Sequence, residues 1–205
     1  MRDLNQALID ISNIKGQMAS GSVFQGFGPA VIAITGVLAV LTSSLQLILP
    51  PLFWQTDLNM LFVWVVIAFI AASLIGFEAT ARSKRRHGGL ADKMILNAIE
   101  QFAPAGFAGA ITGAVMLYFS PDDLWLLPGL WQLFVALGLF TAVRSLPPLI
   151  LFVAAWYFLT GVCVLIIGAK HNALHPLMMG VPFAVGQFVM AYFLHVAEEK
   201  QNELQ

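Results

Sequence analysis

The segment PLILFVAAWYFLTGVCVLIIG, from Pro148 to Gly168, decides the fold, because it is an apolar stretch without a charged residue. A membrane-spanning helix needs about 20 mainly apolar residues, since the hydrocarbon core of a bilayer is about 30 Å thick. Backbone amides in that core have no water to bond, so a helix that satisfies them internally is the expected structure. The segment therefore predicts a transmembrane helix.

Five further apolar stretches lie between charged residues, which are costly at mid-bilayer. The whole chain is 59% hydrophobic and only 10% charged, whereas a soluble domain carries about 25% charged residues. We therefore predict an all-α fold, a polytopic membrane bundle in residues 29–197, with residues 1–28 before it and a short tail, 198–205, after it. The predicted helices are 29–49, 58–77, 101–119, 126–143, 148–168 and 177–197.

The basic residues predict the orientation of the bundle. Cytoplasmic loops of membrane proteins carry an excess of Lys and Arg. Only Lys170 falls on one side of the predicted helices, and the other basic residues fall on the opposite side: Arg2, Lys15, Arg82, Lys84, Arg85, Arg86, Lys93, Arg144 and Lys200. The pattern predicts a multi-pass protein of the plasma membrane, the bacterial inner membrane, with both termini in the cytoplasm.

Two cytoplasmic segments have the apolar spacing of amphipathic helices. The first lies within residues 1–28 and the second, 90–102, precedes Pro104, where we expect the chain to bend into the third span. The first segment has three possible roles, which are packing under its own bundle, binding a partner protein, or anchoring in lipid. It carries only two cations, Arg2 and Lys15, so its attraction to anionic lipid is weak.

An internal repeat is a further hypothesis. Thr-Gly recurs in similar surroundings as AITGV from Ala33, AITGA from Ala110 and LTGVC from Leu159. In this hypothesis, the chain consists of three tandem helical hairpins that are related by an axis normal to the membrane. The alternative is that Thr and Gly are simply common in membrane helices.

Ionisable residues collect at the predicted cytoplasmic boundary and form a candidate polar cluster: Glu78, Glu100, Arg144 and His195. Ionisable groups at the edge of the hydrocarbon are candidates for function. Structural explanations compete with this one. Glu78 stands four residues before Arg82, a spacing that suits an ion pair along one helix, and Arg144 can extend to the headgroups.

Inside the predicted spans the polar side chains are neutral, which disfavours ion-coupled transport. A candidate ligand-lining set is Gln132, Gln187, Thr112, Thr160 and Tyr157. We expect the most open backbone beside Gln187, because Pro182 lies just before it. Hydrogen bonding between helices is the alternative role for these side chains. On the third span the small residues Ala105, Gly109 and Gly113 recur at four-residue intervals, which permits close helix contact.

The sequence predicts no cofactor and no metal. His171 and His175 have a metal-like spacing, but Pro176 interrupts the geometry and two ligands are too few. Cys163 is the single cysteine, so a disulfide within the chain is excluded. Catalytic motifs such as HExxH or GxSxG are missing from the sequence, so we do not expect an enzyme. Positive-inside anchoring explains the basic run at 82–86, and we expect no nucleic acid partner.

Three functional hypotheses follow. The first is a non-enzymatic accessory or regulatory subunit that binds another membrane or cytoplasmic protein at its cytoplasmic face. The second is a small transporter or channel for a neutral or amphipathic solute. The third is a membrane enzyme that acts on lipid or quinone at the candidate polar cluster. The bilayer is a partner in all three, and a homo-oligomer is compatible with each.

Overall fold

The computed structural model describes residues 27–49, 56–87, 91–143, 146–171 and 173–203, and all the regular structure in these ranges is helical. The helices are α1 (Pro29–Ile48), α2 (Asp57–His87), α3 (Ala91–Phe119), a 3-10 helix (Pro121–Leu126), α4 (Leu127–Ala142), α5 (Ile150–His171) and α6 (Leu177–Asn202). Six helical segments are long and apolar enough to cross a membrane, and the fourth of them, Pro121–Ala142, combines the 3-10 helix with α4. For the described residues, the prediction of an all-helical bundle with six such helices is confirmed. The predicted amino-terminal amphipathic helix, in residues 1–28, lies almost wholly outside the described residues.

Helices α2 and α3 are longer than the spans predicted for them. Helix α2 continues past its apolar part to His87, and α3 begins at Ala91. The second predicted amphipathic segment therefore forms the first turns of α3, and Pro104 lies inside that helix. A proline removes one helical hydrogen bond, but an apolar helix that ended there would leave several more unsatisfied in the bilayer.

The six helices form a ring in chain order. Each helix packs on its neighbour in the chain, and α6 packs on α1 to close the ring. The α1–α6 and α4–α5 interfaces are the most extensive. The end of the ring where α1 begins and α2 and α6 terminate holds Glu78, Arg82 and Glu198, and we call it the charged end. The opposite end, with the 3-10 helix, is the far end.

Glycines bring the backbones together at the two most extensive interfaces. A methyl group on Gly129 of α4 would lie 2.9 Å from the carbonyl oxygen of Gly161 on α5. On α1, a methyl group on Gly36 would lie 3.1 Å from the ring of Phe188. Small residues let membrane helices approach closely and gain van der Waals contact. We call α1, α4, α5 and α6 the four-helix core.

Helices α2 and α3 are much less covered than the core, and we call them the α2–α3 hairpin. Only 6% of the apolar span of α3 and 17% of that of α2 are buried, against 33% to 44% for the other four spans. The three-hairpin repeat stays a prediction. Of its Thr-Gly glycines, Gly36 faces α6, whereas Gly113 and Gly161 both face α4.

Candidate functional site

An ion triad at the charged end joins α2 to α6. Arg82 lies 3.1 Å from Glu78 Oε1 on its own helix and 3.1 Å from Glu198 Oε1 on α6, and all three side chains are largely covered. Gly28 packs against the triad, since a methyl group there would lie 2.6 Å from Glu78 Oε1. The Glu78–Arg82 pair expected from the four-residue spacing is present, and Glu198 is its additional partner.

The other members of the predicted polar cluster lie apart from this triad. His195 is exposed, and its Nε2 lies 3.4 Å from Glu199 Oε1 of the same helix. Glu100 is exposed on α3, and Arg144 lies outside the described residues. The structure therefore brings Glu78 to Arg82 and Glu198 rather than to His195. Arg82 and Glu198 meet through their long side chains, although α2 and α6 are not neighbours in the ring.

Gln132 of α4 forms a hydrogen bond to α6 next to a proline. Pro182 has no N–H, so the carbonyl four residues earlier, on Met178, loses its helical donor. Gln132 Nε2 donates to this carbonyl at 2.8 Å and also to the Pro128 carbonyl at 3.0 Å. The Gln132 side chain is completely buried. Its role is an interhelical hydrogen bond, and the backbone opened by Pro182 lies beside Gln132 rather than beside Gln187.

Tyr157 and Gln187 are brought together in the middle of the core. The buried Tyr157 ring packs onto Gly186, where it leaves no room for a side chain. The hydroxyl lies next to the Gln187 side chain, but among the described residues neither Tyr157 Oη nor Gln187 Oε1 reaches a hydrogen-bond partner. Gln187 is nine residues from Met178 on α6, or about 13 Å along the axis, so the two glutamines form separate sites.

The two threonines of the predicted ligand-lining set are also separate from these groups. Thr160 donates to the carbonyl of Trp156, 2.8 Å away on its own helix. Thr112 is half-buried on α3. The five polar residues thus occupy several places in the bundle and do not form one continuous path in the described part of the chain.

The two histidines at the far end take structural positions. His171 is exposed at the end of α5. His175 Nδ1 accepts a hydrogen bond of 3.3 Å from the Leu177 N–H at the start of α6. Within the ranges that the structure describes, no three His, Cys, Asp or Glu side chains come together in a group that could hold a metal ion.

A cavity of about 530 Å³ lies between α2, α3, α4 and α6. The small-residue face of α3, with Gly106, Gly109 and Gly113, forms one wall, and Trp131 of α4 stands opposite to it. The side chains of α2 close another wall. The four-residue repeat of small residues predicted a close helix contact, and these residues do contact α4: Ala105 packs against Gly138, and Trp131 packs on Gly109 and Gly113. The cavity lies beside this contact, on the side toward α2.

The lining of the cavity is entirely apolar, since every residue that forms it is Ala, Gly, Val, Leu, Met, Phe or Trp. Among the lining side chains only the two indole groups carry an N–H, and both donate inside the protein. Trp64 Nε1 bonds Gln46 Oε1 at 2.9 Å, and Trp131 Nε1 bonds the Gly109 carbonyl at 3.1 Å. The cavity therefore offers a ligand hydrocarbon surface and no unused indole N–H.

The cavity is open toward the lipid-facing side of the hairpin. Phe62 and Val65 of α2 and Leu117 of α3 line it, and these side chains are 64%, 48% and 47% exposed. Comparison with family models, with curated proteins and with solved structures finds no match to this chain. Function is therefore inferred from geometry and chemistry.

Proposed function

We propose that the protein is a non-enzymatic accessory or regulatory subunit of the bacterial inner membrane, with both termini in the cytoplasm, and that it binds another protein through the α2–α3 hairpin. The observation that carries this proposal is the length of the two helices. The apolar span of α2 ends at Arg82 but the helix continues to His87, and α3 begins at Ala91, before its span starts at Ile99. The hairpin thus extends beyond the apolar layer at the charged end.

The charge of this extension supports a partner with an acidic surface. Residues 83–98 contain four basic side chains, Lys84, Arg85, Arg86 and Lys93, and one acidic side chain, Asp92. Lys84 and Arg85 are exposed. Complementary charge raises the association rate and selects between partners. The positive-inside tendency is consistent with a cytoplasmic location for the same segment.

The polar side chains form hydrogen bonds and ion pairs within the bundle, and this favours a binding function over catalysis. Arg82, Gln132 and Trp64 each use their donors to join one helix to another. A catalytic group is usually aimed at a space that a substrate can enter, whereas these side chains face neighbouring helices. The cavity wall itself is hydrocarbon. The hypothesis of an enzyme at Glu78, Glu100, Arg144 and His195 has less support, because Glu78 pairs with Arg82 while Glu100 and His195 lie apart from it.

The test uses the full-length protein in membranes of the organism from which the sequence comes. A photo-crosslinking amino acid at Ala81 would report what lies beside the hairpin, and the charge-reversal variant Lys84→Glu/Arg85→Glu would be compared with the matched variant Lys170→Glu at the far end. We expect one protein adduct of defined mass, reduced about tenfold by the hairpin reversal, because repulsion at two sites exceeds 1.4 kcal/mol. Lys170→Glu should leave the yield of the protein adduct unchanged. The proposal would be ruled out by adducts with lipid alone, or by an adduct yield that the hairpin charge reversal does not change.

A second candidate, a carrier for an amphipathic molecule, is favoured by the open cavity. In that function the transported molecule passes along the apolar wall between α2 and α3. Transfer of a fluorescent fatty acid between vesicle leaflets should then depend on Gly106, which lines the cavity, and be insensitive to Gln187→Leu. Equal transfer by protein-free vesicles would exclude the carrier function.

A further inference from the structure

The α2–α3 interface differs from the other glycine-lined interfaces in what fills it. Leu165 packs onto Gly129 between α4 and α5, and Phe188 packs onto Gly36 between α1 and α6. On α3, by contrast, no atom of the described residues lies within 4 Å of a methyl group built on Gly106. Gly106 is exposed on α3 and lines the cavity. The described part of the chain therefore leaves the space in front of Gly106 open.

The size of the cavity limits its occupant. Its lining residues on α3 run from Phe102 to Leu117, which corresponds to about 22 Å at 1.5 Å per residue. An α-helix with side chains is about 10–12 Å wide and would fill roughly 2000 Å³ over that length. The cavity volume of about 530 Å³ is much smaller, so a partner helix does not fit inside it. A chain of methylene groups, with carbon contacts at about 3.5–4.0 Å, does fit.

The chemistry of the wall selects the same occupant. The lining is apolar, both indole N–H groups donate within the protein, and the cavity opens sideways within the apolar spans. It reaches Leu58 and Leu117, close to the far ends of α2 and α3. We propose that this cavity binds one acyl chain of a membrane lipid. The acyl chain enters the cavity sideways from the bilayer, and the lipid headgroup lies at the far end. This inference is independent of a protein partner.

Photoreactive lipid provides the test. The full-length wild-type protein is placed in phosphatidylcholine vesicles in which a small fraction of the lipid carries a diazirine at mid-chain, and the adducts are mapped by mass spectrometry. An acyl chain inside the cavity labels Trp131 and Phe183 on its inner wall. Bulk lipid alone labels outward side chains such as Phe69 and Phe107, which are 75% and 68% exposed.

We expect substantial labelling of Trp131 and Phe183 in the wild-type protein. Gly106→Leu fills the space and should reduce that labelling several-fold, because a bound ligand and a leucine compete for one cavity. Gly76→Leu is the matched control. A methyl group on Gly76 also meets no described atom within 4 Å, but Gly76 is not among the lining residues, so the control should leave the labelling unchanged.

Two results would overturn the proposal. One is wild-type labelling confined to the outward side chains, a measurement that requires no variant and hence no assumption about folding. The other is labelling of Trp131 that Gly106→Leu and Gly76→Leu change equally. If a second copy of the chain covers the cavity instead, labelling of the inner wall should rise as the protein is diluted in lipid, and this outcome also counts against a resident acyl chain. The vesicles contain no partner protein, so the proposed function is not tested by this result.

Discussion

Glycines of the four-helix core and two glycines of the α2–α3 hairpin have opposite surroundings. In the core a side chain at Gly129 or Gly186 would collide with the neighbouring helix. In the hairpin a methyl group on Gly76 or Gly106 would point into open space as far as the described residues extend. The comparison teaches that small residues in a membrane helix permit close contact but do not produce it. The partner must also supply a matching surface.

The two regions also differ in how their polar groups hold them. In the core, Gln132 bonds the carbonyl that Pro182 leaves free, so α4 and α6 are joined inside the bundle. The hairpin is held at separate points. Trp64 and Arg82 of α2 bond Gln46 and Glu198, and the Gly109 carbonyl of α3 accepts a hydrogen bond from Trp131. We infer that the core is the rigid scaffold and that the hairpin is the part able to adjust to a ligand or partner.

The largest effect that separates the two regions should come from adding one methyl group. Gly129→Ala places a carbon 2.9 Å from the Gly161 carbonyl oxygen, and overpacking of this kind costs about 1–3 kcal/mol. Gly106→Ala meets open space and should change stability by less than about 1 kcal/mol, in the stabilising direction, because alanine is the better helix former. The free energy of unfolding in mixed micelles titrated with sodium dodecyl sulfate measures both. Equal losses for the two variants would contradict the comparison.

A smaller effect should separate the two core glutamines. Gln132→Leu leaves the buried carbonyl of Met178 without its donor and should cost about 1–2 kcal/mol. The amide oxygens of both glutamines have no hydrogen-bond partner among the described residues, but only Gln132 donates to a carbonyl of another helix, so Gln187→Leu should be close to neutral. The same unfolding titration provides the measurement. Should Gln187→Leu prove the more damaging change, the assignment of Gln132 as the interhelical fastener is wrong.

The smallest effect is expected at the charged end. Arg82→Gln removes both ion pairs of the triad. The three side chains of the triad are 23% to 30% exposed in the wild-type protein, so their charges are in contact with water. Ion pairs in contact with water contribute at most about 1 kcal/mol, and the loss should shrink as salt is added. Lys84→Gln, at an exposed neighbouring position, is the control and should have no measurable effect. A loss that persists unchanged at high salt would indicate packing rather than charge.

The spans could be predicted from the sequence because each depends on local hydrophobicity alone. The apolar run beginning at Pro29 matches α1 almost residue for residue. The extension of α2 past Phe77 was less visible, since charged residues end an apolar run without ending a helix. Glu78 and Arg82, four residues apart, were the local sign that the helix continues.

The site could not be predicted to the same extent because it depends on which helices are neighbours. Gln132 and Met178 are far apart in the chain, and they meet across the inside of the ring, where α4 contacts α6. Pro182 was a readable sign of an unbonded carbonyl, but the carbonyl lies four residues before the proline, away from Gln187. The cavity likewise depends on neighbouring helices, because the repeat at Gly109 and Gly113 indicates the contact with α4 but not the open space beside it.

The central claim, that a rigid core carries an adjustable hairpin, is tested most directly by distances between spin labels in lipid bilayers. One pair, Phe69→Cys with Phe107→Cys, reports on α2 and α3, and the other, Leu159→Cys with Tyr192→Cys, reports on α5 and α6. Cys163 is replaced by serine in both, and all four labelled positions are exposed. The account predicts a narrow distance distribution for the core pair and a broader one for the hairpin pair that shifts with acyl chain length. Two equally narrow distributions, both independent of the lipid, would contradict it.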